Sequence, residues 1–485
     1  MLSADFARNR DLLLERLRVG HSFDVLSRSI RFDASSGEKE AQLFFVDGMV
    51  SEDSLGGILS LLFSMKAAVP DTMADARSFA DRVVPYGETD VTNDEGFLVT
   101  FVLSGGVGLL VEGFAEAILI DVRSFPARNV KEPENDRVLR GPREGFVESL
   151  ITNTALLRRR LRDPNLTIER FQCGQRTRTD ICLCYLCDKA DAKLLNRLRE
   201  KLRGIADVPA LSMGFESLLE YTAPKQWWNP FPRARYTERP DSAAANLAEG
   251  QVVLLMDNYP AAMLLPTGIF DFMQDANDFY LPPVTGTYLR WLRFLASVLA
   301  CVLTPLWFML IQNPETMPGA LQFLHFSDPI PMPLLLQFLL IEIVMGTLKL
   351  ASLNTPSTLS NSFAVIGALV LGEFAVRIGL MVPEALLLMA FVTISNFSQP
   401  SFELGYALSF SRVLMLLGAA FLGWWGILGG GVLTLLAITF TRTLSGNNYW
   451  YPLIPCNPRA LLSIFFRRPV REAQHQDKGR KRGGR

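Results

Sequence analysis

Histidine is scarce in this sequence: three residues in 485, at positions 21, 325 and 475. They fall in stretches of very different character, which argues against a histidine-based catalytic triad or metal cluster. No glycine-rich phosphate loop is present, and no zinc signature. Six cysteines are ordinary usage for this length. Cys182, Cys184 and Cys187 spell C-x-C-x-x-C with Cys173 upstream, yet alternation puts Cys182 and Cys184 on one face of an apolar strand, where cysteine behaves as a small hydrophobe. The sequence is therefore expected to be no enzyme, to hold no cofactor or metal, and to have no nucleic-acid partner. The first twenty residues, MLSADFARNRDLLLERLRVG, lack the apolar run of a cleavable signal. The front half is thus expected in the cytosol with free thiols, and Asn165-Leu166-Thr167 is a glycosylation sequon by spelling only.

Charge is also scarce over one long stretch. Residues 289–466 hold 7 Lys+Arg and 6 Asp+Glu, whereas residues 1–288 hold 33 and 41 and residues 467–485 hold 8 and 2. The overall balance of −1 describes none of these parts. An acidic front is joined to an apolar back and a basic tail.

The front reads as a duplication. VGLLVEGFAEAILID (107–121) and VVLLMDNYPAAMLLP (252–266) each read as strand, turn and strand, with the turns at Glu112-Gly113 and Asp257-Asn258. AQLFFVDGMVSEDSLGGILSLLF (41–63) and ICLCYLCDKADAKLLNRLREKL (181–202) each read as strand, turn and helix at nearly the same offset. Two related α/β subdomains follow, over roughly 20–135 and 145–280, within domains 1–140 and 141–288. Between them, a helix is expected to open at Pro142-Arg143 and stop at Asp163-Pro164. Arg158, Arg159 and Arg160 on its last turns read as a subunit or partner contact, or as a solvated helix end favoured by the dipole. Trp227 and Trp228, in a Pro-rich connector, read as packing residues, with a membrane interface as the alternative.

The back half reads as a helical membrane domain, 289–466, followed by a basic tail, 467–485. Apolar segments lie at about 289–311, 334–351, 363–382, 385–398 and 413–440, several near the roughly 20 residues needed to cross a bilayer. Arg290 and Arg293 stand at the start of the first, 312–333 has no Lys or Arg, and the tail after 467 is strongly basic, so both ends are expected to be cytoplasmic. Five segments with both ends on one side leave one that does not cross. The short segment 385–398, bracketed by Pro383 and Pro400, is assigned as re-entrant, giving four crossings. Glu342, Lys349, Glu373 and Arg377 are the membrane-embedded charges, read as pore-lining or as a structural ion pair. Glu373 and Arg377 stand i, i+4 and can pair. Gly429, Gly430 and Gly431 read as a close helix contact.

GPREGFVESLITNTALLRRRLRDP (141–164) resembles the GerA family of spore germination membrane proteins, A-type subunits. The resemblance continues through GQRTRTD (174–180), YTERPD (236–241) and LAEG (247–250) into the spans, over roughly 25–465. NPFPRARYTERPD (229–241), ASLNTPSTL (351–359), QPSFELGYAL (399–408) and YWYPLIPCNP (449–458) set it closer to one branch of the family than to nutrient-receptor A subunits; Asn354 and Cys456 depart from that branch's pattern. The resemblance implies a multi-pass protein of the spore inner membrane, with two related α/β subdomains in front. It implies a homo-oligomer, alongside other germination membrane subunits, that conducts monovalent cations or amplifies the germinant signal. In such an oligomer Glu373 would form a carboxylate ring favouring cations. The alternatives are an A subunit of a nutrient receptor, acting with B and C subunits, and a secondary transporter, for which no inverted repeat is visible among the spans.

Overall fold

The computed structural model describes residues 1–34, 37–64, 75–84, 88–125, 140–211, 214–223, 225–316, 332–354 and 375–467, with the single positions 136, 138 and 319. It divides into two compact units. The first comprises Met1–Pro224 and Ala234–Thr267, and the second Lys225–Arg233 and Gly268–Arg485.

The first unit holds two five-stranded antiparallel sheets. One contains β1 (Val25–Ala34), β2 (Gly37–Val46), β3 (Glu88–Thr92), β4 (Val107–Val111) and β5 (Ala117–Asp121), in the order β1-β2-β4-β5-β3. The other contains β6 (Leu166–Cys173), β7 (Thr179–Leu186), β8 (Arg235–Thr237), β9 (Val252–Met256) and β10 (Ala262–Leu265), in the order β6-β7-β9-β10-β8. The second order is the first moved on by five strands. The helices repeat too. α1 (Phe6–Arg16), α2 (Glu52–Ser64), α3 (Ala76–Val83) and α4 (Glu95–Leu103) recur in place as α5 (Leu150–Arg160), α6 (Ala192–Gly204), α7 (Phe215–Thr222) and α8 (Pro240–Ala248). The matched hairpins carry a left-handed residue at the same place, Gly113 (φ 96°) and Asn258 (φ 61°), a conformation that Gly and Asn tolerate best.

Strands β4 and β5 read as unbroken apolar runs because both faces of their sheet are covered. Val107, Leu109 and Val111 pack with Ile58, Leu62 and Phe79 from α2 and α3. Leu110 and Leu119 pack on the other face with Leu13 of α1 and Leu98 and Val102 of α4. In the second sheet Cys182 and Cys184 share one face with Val253 and Leu255, against Leu156 of α5 and Leu247 of α8. Helix α5 begins at Leu150, not at Pro142-Arg143, because the Ser149 side chain accepts from Thr152 N and fixes the start there.

The second unit contains the short helix α9 (Asn277–Tyr280), then α10 (Pro283–Gln312), α11 (Leu334–Asn354), the single turn α12 (Ala375–Arg377), α13 (Pro383–Phe397), α14 (Phe402–Leu422), α15 (Trp424–Phe440) and α16 (Pro458–Phe465). Among the described residues, three helices are long and apolar enough to cross a membrane: Pro283–Gln312, Leu334–Ala351 and Phe402–Leu422. The segment expected as one span, 413–440, is two helices broken at Gly423 (φ 61°). They fold back on each other in tight contact. A side chain at Gly426 would collide with the Gly418 carbonyl, and one at Gly430 would stand 2.7 Å from Met415 Cγ. Gly430 therefore makes the close contact expected of the triple glycine, while Gly429 and Gly431 have open space.

Side-chain partners fix the helix directions. Ser297 and Gln399 hydrogen-bond at 2.8 Å, and Thr304 reaches Met389 Sδ at 3.5 Å, so α13 runs against α10. Arg412 reaches the Ala300 carbonyl and Gly423 lies beside Met309, so α14 runs with α10. Glu342 meets Arg412 and Lys349 meets Tyr406, so α11 runs against α14. Helices α11 and α13 therefore point the same way, and Asn354 and Pro383 lie at opposite ends of the bundle. Most of the expected segment 363–382 falls outside the described residues. With α14 and α15 counted separately, an even number of crossings no longer requires a re-entrant segment, although α13 (15 residues, about 22 Å) is shorter than the roughly 30 Å bilayer core.

Chain segments before α10 and after α15 lie together at one end of the bundle. Asp278 is fully buried there between Arg290 (Nε–Oδ2 3.3 Å) and Arg293 (Nη1–Oδ2 3.0 Å, Nη2–Oδ1 3.1 Å). Arg290 also donates to the Ser463 carbonyl of α16 at 2.6 Å. The domain boundary consequently falls at Thr267/Gly268 rather than at 288/289, since residues 269–282 belong to this clamp.

Candidate functional site

A polar path runs through the apolar helical unit on three of its helices, with a backbone contact to a fourth. Glu342 of α11 takes Arg412 of α14 with both carboxylate oxygens, at 2.6 and 2.7 Å. Arg412 also donates to the Ala300 carbonyl of α10 and to Ser409 Oγ at 3.1 Å. Ser409 accepts from Asn396 Nδ2 of α13 at 2.8 Å. Two turns toward the end of α11, Lys349 is only 8% exposed, and its ammonium stands 4.2 Å from the ring centre of Tyr406, 5.4 Å from Phe402 and 5.5 Å from Phe397. An ammonium over aromatic faces is attracted by the ring quadrupoles, and more strongly where water is excluded.

Two of the four expected membrane charges, Glu342 and Lys349, therefore belong to one path. Glu373 lies outside the described residues, so its pairing with Arg377 does too. Arg377 is exposed on α12. Arg412 and Asn396 were not anticipated. Arg412 sits one residue before the expected last segment, which began at 413, although a lone arginine in FELGYALSFSRVLMLLGAAFL is itself the signal of a buried partner.

The arginine cluster on α5 is not the surface expected. Arg158 is 1% exposed and buried against Asp24, with Nε–Oδ2 at 2.7 Å and Nη2–Oδ1 at 3.0 Å. It also donates to the Asp163 and Leu166 carbonyls. Ser22 bonds Asp24 at 2.6 Å and accepts from Ile168 N, so the group ties the entry to β1 onto β6. Arg159 and Arg160 both pair with Glu144, at 3.1 and 2.7 Å, and Arg159 lies 4.6 Å over the Phe125 ring. In this arrangement Arg158 fastens the two subdomains and offers nothing to a partner. Replacing all three arginines with Glu would set a carboxylate against Asp24, so the domain would not survive the change.

The tryptophan pair also departs from expectation. Trp227 is 93% exposed and Trp228 is exposed, on a segment held in the helical unit by Gln226 to the Phe440 carbonyl (2.6 Å) and Asn229 to the Ala437 carbonyl (2.9 Å). This exposure argues against the packing role and is what the alternative, a membrane interface, would require.

The family model for Bacillus/Clostridium GerA spore germination protein matches residues 13–478. The chain belongs to the GerA family. It is 34% identical to stage V sporulation protein AF of Bacillus subtilis (strain 168) over 466 residues, covering 95% of this chain and 92% of that one. It is 26% identical to spore germination protein KA of the same organism, covering 97% of this chain and 85% of that one. The crystal structure of the N-terminal domain of the A subunit of the Bacillus megaterium spore germinant receptor GerK3 overlaps 54% of this chain and 95% of that one, at 24% identity and a TM-score of 0.41. As a GerA-family chain, this is a germination protein with an α/β front and a helical, membrane-associated back.

Proposed function

We propose a function for this GerA-family protein that rests on the family resemblance and on its similarity to stage V sporulation protein AF. The protein is a subunit of a homo-oligomeric complex in the spore inner membrane that conducts monovalent cations and amplifies the germinant signal beside other germination subunits. The observation that carries this is the Glu342–Arg412–Ser409–Asn396 path with Lys349 beside it, since charges within apolar helices persist where they face protein or a wet path. Apolar side chains exposed along α15, among them Trp425, Leu428, Val432 and Leu435, leave a face for lipid or a second copy. The full-length protein reconstituted in a planar bilayer should carry monovalent-cation current, and deletion of the gene should slow germination by all nutrients. No current from correctly assembled protein would overturn the reading. Loss of the response to one nutrient class alone would instead favour a nutrient-receptor A subunit acting with B and C subunits, which the likeness to protein KA keeps as the second reading.

Both termini are cytoplasmic in this reading, and a native thiol checks the C-terminal side. Cys456 is exposed. Cys173, Cys182, Cys184 and Cys301 are buried, and burial pushes Cys173 up to about 11 and Cys182 and Cys184 higher still. Cys173, Cys182 and Cys184 thus carry little thiolate at neutral pH. Cys187 is only partly buried, so the measurement is made in a Cys187→Ser background: a membrane-impermeant maleimide should label that protein in inverted vesicles and not in intact cells, with Cys456→Ser removing the signal. Labelling of Cys456 in intact cells would place that end outside.

A further inference from the structure

We propose that Tyr406, Phe402, Phe397 and the side-chain oxygen of Asn396 form a binding site for a monovalent cation, held in this structure by the chain's own Lys349 ammonium. The role of this site in conduction rests on the function proposed above. Its capacity to bind a cation does not.

The site is built by two helices around a missing side chain. Phe402 and Tyr406 are one turn apart on α14, and Phe397 ends α13. Gly405 stands between them. A Cβ there would lie 2.5 Å from Asn396 Oδ1 and 3.6 Å from Lys349 Nζ, so these two atoms are within about 6 Å of each other. Asn396 spends its Nδ2 on Ser409, while its Oδ1 is buried and accepts no hydrogen bond among the described residues. Buried carbonyl oxygens are normally satisfied. One left without a donor beside three ring faces is a ligand for positive charge. Aromatic cages select weakly hydrated cations and alkylammonium groups, because the rings offer charge attraction without hydrogen bonds to replace a tight water shell. The chemical class is therefore potassium-like ions or small alkylammonium ions.

Lys349 is tethered in α11, so it competes at a high effective concentration and keeps the cage filled. Opening requires either displacement of α11 relative to α14 or removal of the ammonium. Asn396 joins the cage to Ser409, Arg412 and Glu342 through direct hydrogen bonds.

The test uses full-length protein in lipid nanodiscs and in proteoliposomes, with tetramethylammonium as the probe. Calorimetry should find Lys349→Met binding tetramethylammonium at least tenfold more tightly than wild type, and Lys349→Met with Tyr406→Leu losing that gain. Lys349→Gln repeats the measurement should Lys349→Met fail to assemble. Potassium efflux from proteoliposomes should rise several-fold in the same variant and fall again with added tetramethylammonium. Well-assembled Lys349→Met that binds tetramethylammonium no more tightly than wild type would overturn the site. Tight binding without any change in efflux would leave the site standing and overturn the conduction reading instead.

Discussion

Replacing Arg158 with Ala is expected to loosen the first unit more than any other single change on its helices. The guanidinium makes two bonds to Asp24 and two to backbone carbonyls in a place sealed from water, so its removal strands a buried carboxylate. Losing one partner of a buried ion pair costs about 3–5 kcal/mol, because the remaining charge keeps its desolvation penalty without compensation. Hydrogen-exchange protection in the stretches around Asp24 and Ile168 should fall by about two to three and a half orders of magnitude in full-length protein. Asp24→Ala should do comparable damage from the other side. The double change Arg158→Met with Asp24→Leu should recover much of the loss, since an apolar pair of similar volume replaces many buried ion pairs without cost. If Arg158→Ala left protection unchanged while weakening association between copies, the arginine would be a contact residue after all.

Residue pattern alone disclosed the duplication, because apolar runs, turn residues and amphipathic helices are local properties. The hairpins at 107–121 and 252–266 and the strand–helix pairs at 41–63 and 181–202 stand where read, in sheets of matching order. What escaped the sequence depends on partners far along the chain. Arg158 and Asp24 are 134 positions apart, so a run of arginines at a helix end looked like a solvated patch. Asp278 carries no local signal in the sequence, and only the fold closes Arg290 and Arg293 over it. The break at Gly423 was hidden for a different reason. FLGWWGILGGG is apolar on both sides of the turn, and no charge or proline marks where α14 stops. Only the backbone approach of Gly418 to Gly426 shows why the turn lies there. The membrane charges were legible as a set because each is costly in apolar surroundings, but composition could not say which of them meet.

Neutralising Glu342 alone is the second change expected to have a large effect, and its pattern separates a structural ion pair from a conducting one. In Glu342→Gln the Arg412 guanidinium keeps the Ala300 carbonyl and the Ser409 hydroxyl, yet its charge is left without a carboxylate inside an apolar bundle. An arginine at the centre of a membrane helix costs about 2.5–3.5 kcal/mol by insertion scales, so the yield of assembled protein and its melting temperature should both drop. Arg412→Met should be damaging in the same way, by exposing the Glu342 carboxylate to the same surroundings. Combining Glu342→Gln with Arg412→Met removes both charges, and assembly should return close to wild type if the two act as a pair. Potassium efflux from proteoliposomes then decides the role. A rescued double variant with efflux well below wild type places the pair on the conducting path, where fixed charge is needed as well as fold. A rescued double variant with unchanged efflux confines Glu342 and Arg412 to holding α10, α11 and α14 together, and moves the search for the ion path to other faces of the bundle.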